Sequence, residues 1–141
     1  MGKDTLRIIS PNGHLGFAPT KEGSFYIGAE TKPDYYCCDS GSDDIGPVPL
    51  GMDKCASHPD WQYHDLELML LASREQGVPM IIGSAGDTGT NSRVDMYVEM
   101  IRDMAKNHGL KKFKLAYFYS EVDKEYLRRK MLAGETIEGL N

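Results

Sequence analysis

The sequence predicts an α/β fold in which short parallel strands alternate with helices. Four short apolar runs are separated by segments whose apolar residues recur at helical spacing. Turn-forming residues follow the runs, and helical connections favour parallel strands joined by right-handed crossovers. We therefore expect a three-layer sandwich with a short, mostly parallel sheet of about four strands, similar to Rossmann and flavodoxin folds.

The first half of the chain predicts two strands and one helix. Residues 6–9 form the first apolar run, and Asn12-Gly13 ends it with a strong turn signal. A weak apolar pattern predicts a helix over 20–31, and Tyr35–Cys38 predicts the second strand. Proline and glycine then predict an irregular connection as far as His58, which is long for a compact domain.

The second half predicts three helices and two strands. A helix that Asp60 can cap is apolar on both sides as far as Gly77, so we expect it to be covered on both sides. The third strand begins at Val78, and we expect it to be buried on both faces and to end at 83–86.

The next helix and strand complete the predicted alternation. Thr90 or Asn91 can cap a helix that ends near Gly109. Residues 113–118 predict the fourth strand, and 120–123 resembles a capping box that begins the last helix.

The loop after the third strand predicts an anion site. A helix that begins beyond a buried strand directs free N–H groups at the loop, where a carboxylate or phosphate can bind. Asp87 would repel an anion unless it turns away, binds a cation or acts as a base. The loop matches neither dinucleotide-binding nor P-loop patterns, and a tight packing turn is the alternative interpretation.

Polar residues follow every predicted strand, and in an open parallel sheet such loops meet at one edge. His14, Asp39 and Asp87 are the candidate acid–base residues, because carboxylates and histidine commonly transfer protons. For His14, simple packing within its turn is the alternative. The predicted substrate-binding residues are Ser10, Asn12, Gly13, Ser40, Gly41, Ser42, Gly83, Ser84, Ala85, Gly86 and Thr88.

Metal and thiol chemistry receive less support. Four carboxylates could bind a divalent cation such as Mg²⁺, but no metal-loop spacing is met and the cofactor stays unknown; they are Asp39, Asp43, Asp44 and Asp87. Three cysteines, two of them adjacent, suit free thiols in a reducing compartment better than a disulfide framework or zinc site; they are Cys37, Cys38 and Cys55.

Length and charge limit the class of protein. The 141 residues, 40% of them hydrophobic, suit one α/β domain spanning 1–141. The net charge of −5 argues against nucleic acid or an anionic membrane as the main partner. The chain has no apolar run of about 20 residues and no apolar signal-peptide core, so we expect a cytoplasmic location.

A set of motifs resembles the N-terminal region of acyclic terpene utilisation (AtuA-like) proteins. The motifs are Ile9-Ser10-Pro11-Asn12-Gly13, Pro33-Asp34, Cys38-Asp39-Ser40-Gly41-Ser42, Gly46-Pro47, Asp65-Leu66-Glu67-Leu68-Met69-Leu70 and Ile81-Ile82-Gly83-Ser84-Ala85-Gly86. The resemblance implies a catabolic role on small carboxylates or their coenzyme A thioesters. Hydration, dehydration or a related lyase step is the implied reaction.

Members of that family continue with further α/β sequence beyond the region that this chain resembles. We therefore expect a homo-oligomer or a second subunit to complete the site, or the chain to be part of a longer product. A ligand-binding or regulatory subunit without catalysis is the second hypothesis. A structural half-domain whose loops serve only an interface is the third.

Overall fold

The computed structural model describes residues 4–41 and 47–136, and it confirms the predicted mixed α/β fold. The elements are β1 (Ile8–Ile9), α1 (Glu22–Ala29), β2 (Tyr35–Gly41), α2 (Val48–Met52), α3 (Pro59–Gln76), β3 (Met80–Asp87), α4 (Asn91–Asn107) and α5 (Lys124–Leu132). None of the described helices is long and apolar enough to cross a lipid bilayer.

The described strands form one parallel sheet in the order β1-β2-β3, which confirms the predicted parallel pairing with three strands in place of four. Strand order follows chain order, so right-handed crossovers place their helices on the same face. The alternating burial of β2 agrees with this arrangement, since Tyr36 and Cys38 are buried whereas Tyr35 and Cys37 are only partly so.

The face of the sheet that these helices cover is called here the covered face. The hydrophobic core lies between the covered face and helices α1, α3 and α4. Helix α3 is buried on both sides, as predicted, with Leu66, Leu68, Met69 and Leu70 all in the core. The predicted apolar face of α4 is also buried, and its residues are Val94, Tyr97, Val98, Ile101 and Met104.

The second face of the sheet, called here the open face, consists of Ile8, Tyr35, Cys37 and Ile81. Ile8 is 50% exposed and Ile81 is 51% exposed. The prediction that the third strand is buried on both faces is therefore wrong for the described part of the chain. The described helices supply one layer beside the sheet, and the open face is where the other predicted layer would pack.

The predicted fourth strand, 113–118, has no ladder of backbone hydrogen bonds, so that prediction is wrong. The guanidinium of Arg74, just before β3, lies 5.3 Å from the ring centroid of Phe113. The Ser120 hydroxyl donates to the Gly89 carbonyl, just after β3, at 3.2 Å. The segment thus runs parallel to β3, but a groove of about 670 Å³ separates them, and strand pairing requires backbones about 4.8 Å apart.

Two helix starts differ from prediction. The α3 cap is His58, whose side chain accepts from the Asp60 N–H at 3.2 Å, because Pro59 occupies the first helical position. The α5 cap is Asp123, which accepts from the Tyr126 N–H at 2.7 Å, so Ser120 does not begin that helix. Thr90 caps α4 without a side-chain hydrogen bond to its backbone.

Two strands extend further than predicted. Strand β2 continues to Gly41, and β3 continues through 83–86 to Asp87. Gly83 pairs with Asp39, and a side chain on Gly83 would place its Cβ 3.2 Å from the Asp39 carboxylate, so glycine here admits a neighbour without ending the strand. Helix α2 lies within the connection that was predicted to be irregular.

Candidate functional site

The Asp87 carboxylate is the centre of the candidate site. Asp87 ends β3 in a left-handed conformation, with φ of 70°, and its side chain is 0% exposed. Oδ2 accepts from the N–H groups of Ala56 and Ser57 at 2.7 and 3.0 Å. Oδ1 accepts from the Ser57 hydroxyl at 2.7 Å. The side chain therefore turns away from the surface of the loop, which is the first of the three alternatives that the sequence left open for Asp87.

His14 meets the same carboxylate from the loop after β1. Its Nε2 lies 2.8 Å from Asp87 Oδ1, and its side chain is 18% exposed. The ring stacks on that of Phe17, with centroids 5.7 Å apart. Two of the three predicted acid–base residues are therefore in direct contact.

The contact fixes which imidazole nitrogen is available for chemistry. An ionised carboxylate only accepts hydrogen bonds, so Nε2 carries the proton and Nδ1 is left as the acceptor. None of the described residues hydrogen-bonds Nδ1 of His14. Ser57 Oγ also approaches Nε2, at 3.3 Å, whereas a Ser-His-Asp triad places serine and aspartate on opposite nitrogens. The geometry is that of a histidine–aspartate pair.

Gln62, which the sequence analysis did not identify, supports this pair from the first turns of α3. The residue is fully buried, and its Nε2 lies 3.3 Å from Asp87 Oδ2 and 3.4 Å from the Ser57 carbonyl oxygen. A side chain on Gly16 would meet Gln62 Cγ at 2.3 Å, so glycine lets the His14 loop pass close to α3.

Asp65, also missed as a site residue, holds the loop that carries His14. Its Oδ1 accepts from the Thr20 N–H at 2.8 Å, and its Oδ2 accepts from the Gly16 N–H at 3.1 Å. Gln62 and Asp65 lie three positions apart among the buried residues of α3, most of which are apolar. Polar residues at such positions were the sequence signal for this role.

Three predicted binding residues lie in the same loop, and two of them shape it. Asn12 donates to the Ala18 carbonyl at 3.0 Å and accepts from the His14 N–H at 3.3 Å. The Ser10 hydroxyl donates to the Asn12 carbonyl at 2.9 Å. Gly13 is exposed, with open space around it.

The predicted residues at the end of β2 divide between the edge and the core. Asp39 is exposed, and its carboxylate accepts from the Gly41 N–H at 2.9 Å. Its carbonyl accepts from the Leu15 N–H at 2.8 Å, which links it to the His14 loop. Ser40 is fully buried, with its hydroxyl 2.6 Å from the Tyr97 hydroxyl, and burial raises the pKa of Tyr97. Ser42 lies outside the described residues.

The predicted residues at the end of β3 also differ in their exposure to solvent. Gly83 and Ser84 are exposed, and Ser84 lies directly beside Gly41. Ala85 is partly buried, and Gly86 is buried beneath the Arg93 side chain. The Thr88 hydroxyl lies 3.2 Å from that of Thr90. Gly83, Ser84 and Asp39 thus form the exposed part of this edge, and Gly41 beside them is partly buried.

The predicted anion site at the start of α4 receives carboxylates of the chain itself. The Asn91 N–H donates to Glu121 Oε1 at 2.7 Å. Asp53 accepts from the hydroxyls of Ser92 and Thr90 at 2.6 and 2.9 Å. These hydrogen bonds, with the nearby Arg93 guanidinium, hold the pKa of Asp53 below its usual range. The helix terminus therefore attracts carboxylates, as its dipole predicts.

Metal ligands and thiols add little to this site. Within 4–41 and 47–136, no group of three or more histidine, cysteine or acidic side chains could hold a metal ion. Asp43 and Asp44, two of the predicted candidates, lie outside those ranges. The three cysteines are free thiols, and burial raises the pKa of Cys38 to about 11.

Comparison of the chain with protein-family models, curated proteins and solved structures gives no significant match. The functional argument therefore depends on the site itself. Its principal features are the buried Asp87 carboxylate and the His14 imidazole that contacts it.

Proposed function

We propose that the chain is a catabolic enzyme, or a subunit of one, that performs acid–base chemistry on a small carboxylate or its coenzyme A thioester. The observation that carries the proposal is the 2.8 Å contact between His14 Nε2 and the buried carboxylate of Asp87. The resemblance to AtuA-like proteins supports a lyase or hydratase reaction and a cytoplasmic enzyme.

In this mechanism Asp87 positions His14 and stabilises the imidazolium that forms when Nδ1 takes a proton. During dehydration, Nδ1 removes the proton from the carbon next to the carbonyl group. The hydroxyl on the following carbon leaves as water after it receives a proton. Asp39, exposed on the same edge, is the second acid candidate, and hydration is the same sequence in reverse.

The start of α4 is the proposed site for a substrate carboxylate. Glu121 already places its carboxylate on the Asn91 N–H at 2.7 Å, which supports carboxylate binding by this helix terminus. A substrate carboxylate would replace Glu121 there. Ser84 and Gly83 are exposed on the same edge and can contact the rest of a small substrate.

Deuterium incorporation over a panel of compounds tests the proposal and requires no single substrate to be chosen. Short saturated and α,β-unsaturated carboxylic acids and coenzyme A thioesters are incubated with the chain in D₂O, and mass spectrometry detects exchange at the α carbon or addition of water. We expect turnover of at least one compound, and its loss in His14→Gln and Asp87→Asn.

His108→Gln is the matched control, because His108 Nε2 also contacts a carboxylate, that of Glu67 at 2.7 Å, at a partly exposed position. This variant should keep the full rate. Turnover that survives His14→Gln, or an absence of turnover over the whole panel, would contradict the enzyme proposal.

The alternative is a ligand-binding or regulatory subunit without catalysis. The observation that favours it is the set of donors around Asp87, since a carboxylate that accepts from two backbone N–H groups also serves to fix a loop. Isothermal titration calorimetry with the same panel separates the two hypotheses. Binding without exchange or hydration would support the alternative.

A further inference from the structure

The open face is an unusual surface for a parallel sheet. Parallel sheets almost always have both faces covered, since their connections place helices against them. Here the helices of the described crossovers lie on one side, and Ile8 and Ile81 on the other side are half exposed. Tyr35 and Cys37 lie between them and are partly exposed. This surface therefore favours an apolar partner.

Helix α5 also exposes apolar side chains that packing would stabilise. None of its residues is buried, although it contains several large apolar side chains. Met131 is 70% exposed and Leu132 is 82% exposed, and Tyr126 and Leu127 are also exposed. No described helix or strand packs extensively against α5. An amphipathic helix of this kind is stabilised mainly by packing its apolar side.

The segment before α5 is attached to the start of α4, and α5 itself is left unpacked. Glu121 is bound to the first turn of α4 through the Asn91 N–H. Helix α4 itself packs on the covered face. Helix α5 has no buried residue, so it does not cover the open face of its own chain, whereas a second copy can present that face to it.

Charge also favours association between copies. Helix α5 carries four basic residues, Lys124, Arg128, Arg129 and Lys130, against one acidic residue, Glu125. The whole chain has a net charge of −5, so the remainder of each copy is more acidic than the whole. Asp39 is exposed at the carboxyl end of β2, on the same side of the sheet as Cys37. A basic helix thus meets an acidic molecule.

We propose that the chain forms a two-fold homodimer in which α5 of each copy packs on the open face of the other. Both surfaces are used twice, as a closed two-fold interface requires. A stable interface buries about 800 Å² on each partner. One nine-residue helix on one sheet face is small for that area, and a two-fold dimer contains two such contacts.

Sedimentation velocity on the purified chain tests the dimer. We expect a dimer for the wild-type chain, and monomers for Leu127→Glu combined with Met131→Glu and, separately, for Ile81→Glu, with dissociation constants raised by about a hundredfold. Ile27→Glu is the matched control, because Ile27 is 70% exposed on α1, away from both surfaces. It should remain dimeric.

Mixing the two monomeric variants distinguishes this dimer from others. A mixed dimer keeps one intact contact, between α5 of the Ile81→Glu chain and the open face of the other, so partial dimerisation should return. Thermal unfolding followed by circular dichroism checks that both variants fold. A monomeric wild-type chain would assign the open face to another partner and overturn the proposal. A dimer that both variants leave unchanged would overturn it as well.

Discussion

At the scale of single residues, Asp87 joins parts of the chain that are far apart in sequence. Its carboxylate contacts His14, 73 positions away, and Ser57, 30 positions away. Two of its other hydrogen bonds come from the backbone N–H groups of Ala56 and Ser57, which cannot move aside without changing the loop. A buried carboxylate with such partners stabilises the fold as well as the site.

Asp87→Asn should therefore lower the free energy of unfolding by about 2–4 kcal/mol, because an amide nitrogen replaces one accepting oxygen against fixed donors. Asparagine tolerates the left-handed backbone of this position, so the loss reports the carboxylate itself. Urea denaturation measures it. Asp60→Asn, at a side chain that is 87% exposed, should change stability little. Equal effects of the two changes would contradict this role.

Cys38 gives a second prediction at this scale. Burial is the main reason that its pKa rises to about 11, and the thiolate is the reactive form of cysteine. At pH 8 the folded chain keeps this thiol protonated, so alkylation should be slow, and it should become rapid only on unfolding. Mass spectrometry of labelled peptides compares it with the partly exposed Cys37 and Cys55. Labelling of Cys38 at their rate would contradict the expectation.

The residues of the site were only partly predictable. His14 and Asp87 could be nominated because each follows a predicted strand, and parallel strands bring such loops to one edge. Ser57 could not, because it lies in a connection whose path the sequence does not determine. Ser40 was predicted to bind substrate, but β2 extends further than predicted and directs the Ser40 hydroxyl into the core.

At the scale of elements, the start of α4 depends on a residue from outside the helix. Thr90 makes no side-chain cap to the helix backbone, and Glu121 supplies the acceptor for the Asn91 N–H. A carboxylate at this position also interacts favourably with the helix dipole. The segment between α4 and α5 is thereby attached to the helix that precedes it.

Glu121→Ala should destabilise the chain by about 1 kcal/mol, the usual value for a lost N-terminal cap, and the effect should shrink in high salt. Thermal unfolding at two salt concentrations measures both. Glu125→Ala, which removes an exposed ion pair with Arg128 within α5, is the control and should have a smaller effect. A loss that does not depend on salt would argue against a dipole contribution.

Helices were more predictable than strands. The buried face of α4 followed from apolar spacing alone, because a helix carries its own hydrogen bonds. Residues 113–118 have the composition of a strand, but a strand also requires a neighbour at pairing distance. The groove between this segment and β3 keeps the two backbones too far apart to pair. His58 capped α3 in place of Asp60 because proline moved the helix start by one position.

At the scale of the whole molecule, the described structure is one-sided, with a covered face that holds the core and an open face that does not. Alternating helices and strands indicated the α/β class, but sequence does not specify strand order. Had the order reversed at any point, right-handed crossovers would have placed helices on both faces. The open face follows from an order that only the structure shows.

Hydrogen exchange tests this asymmetry. Amides of α3 and β2 should exchange slowly in every form, because they lie in the core. Amides of α5 should be protected in the wild-type chain and exchange rapidly in the monomeric Ile81→Glu variant. Mass spectrometry of peptic fragments follows both regions. Equal protection of α5 in the two proteins would show that the stability of this helix does not depend on contact with a second copy.

The order β1-β2-β3 also bears on synthesis by the ribosome. Each strand pairs with the one made just before it, so every new strand meets an edge that already exists. Such sequential pairing lets folding follow translation without waiting for distant sequence. The pair of His14 and Asp87 is the exception. It spans 73 positions, and it can form only after β3 has left the ribosomal exit tunnel.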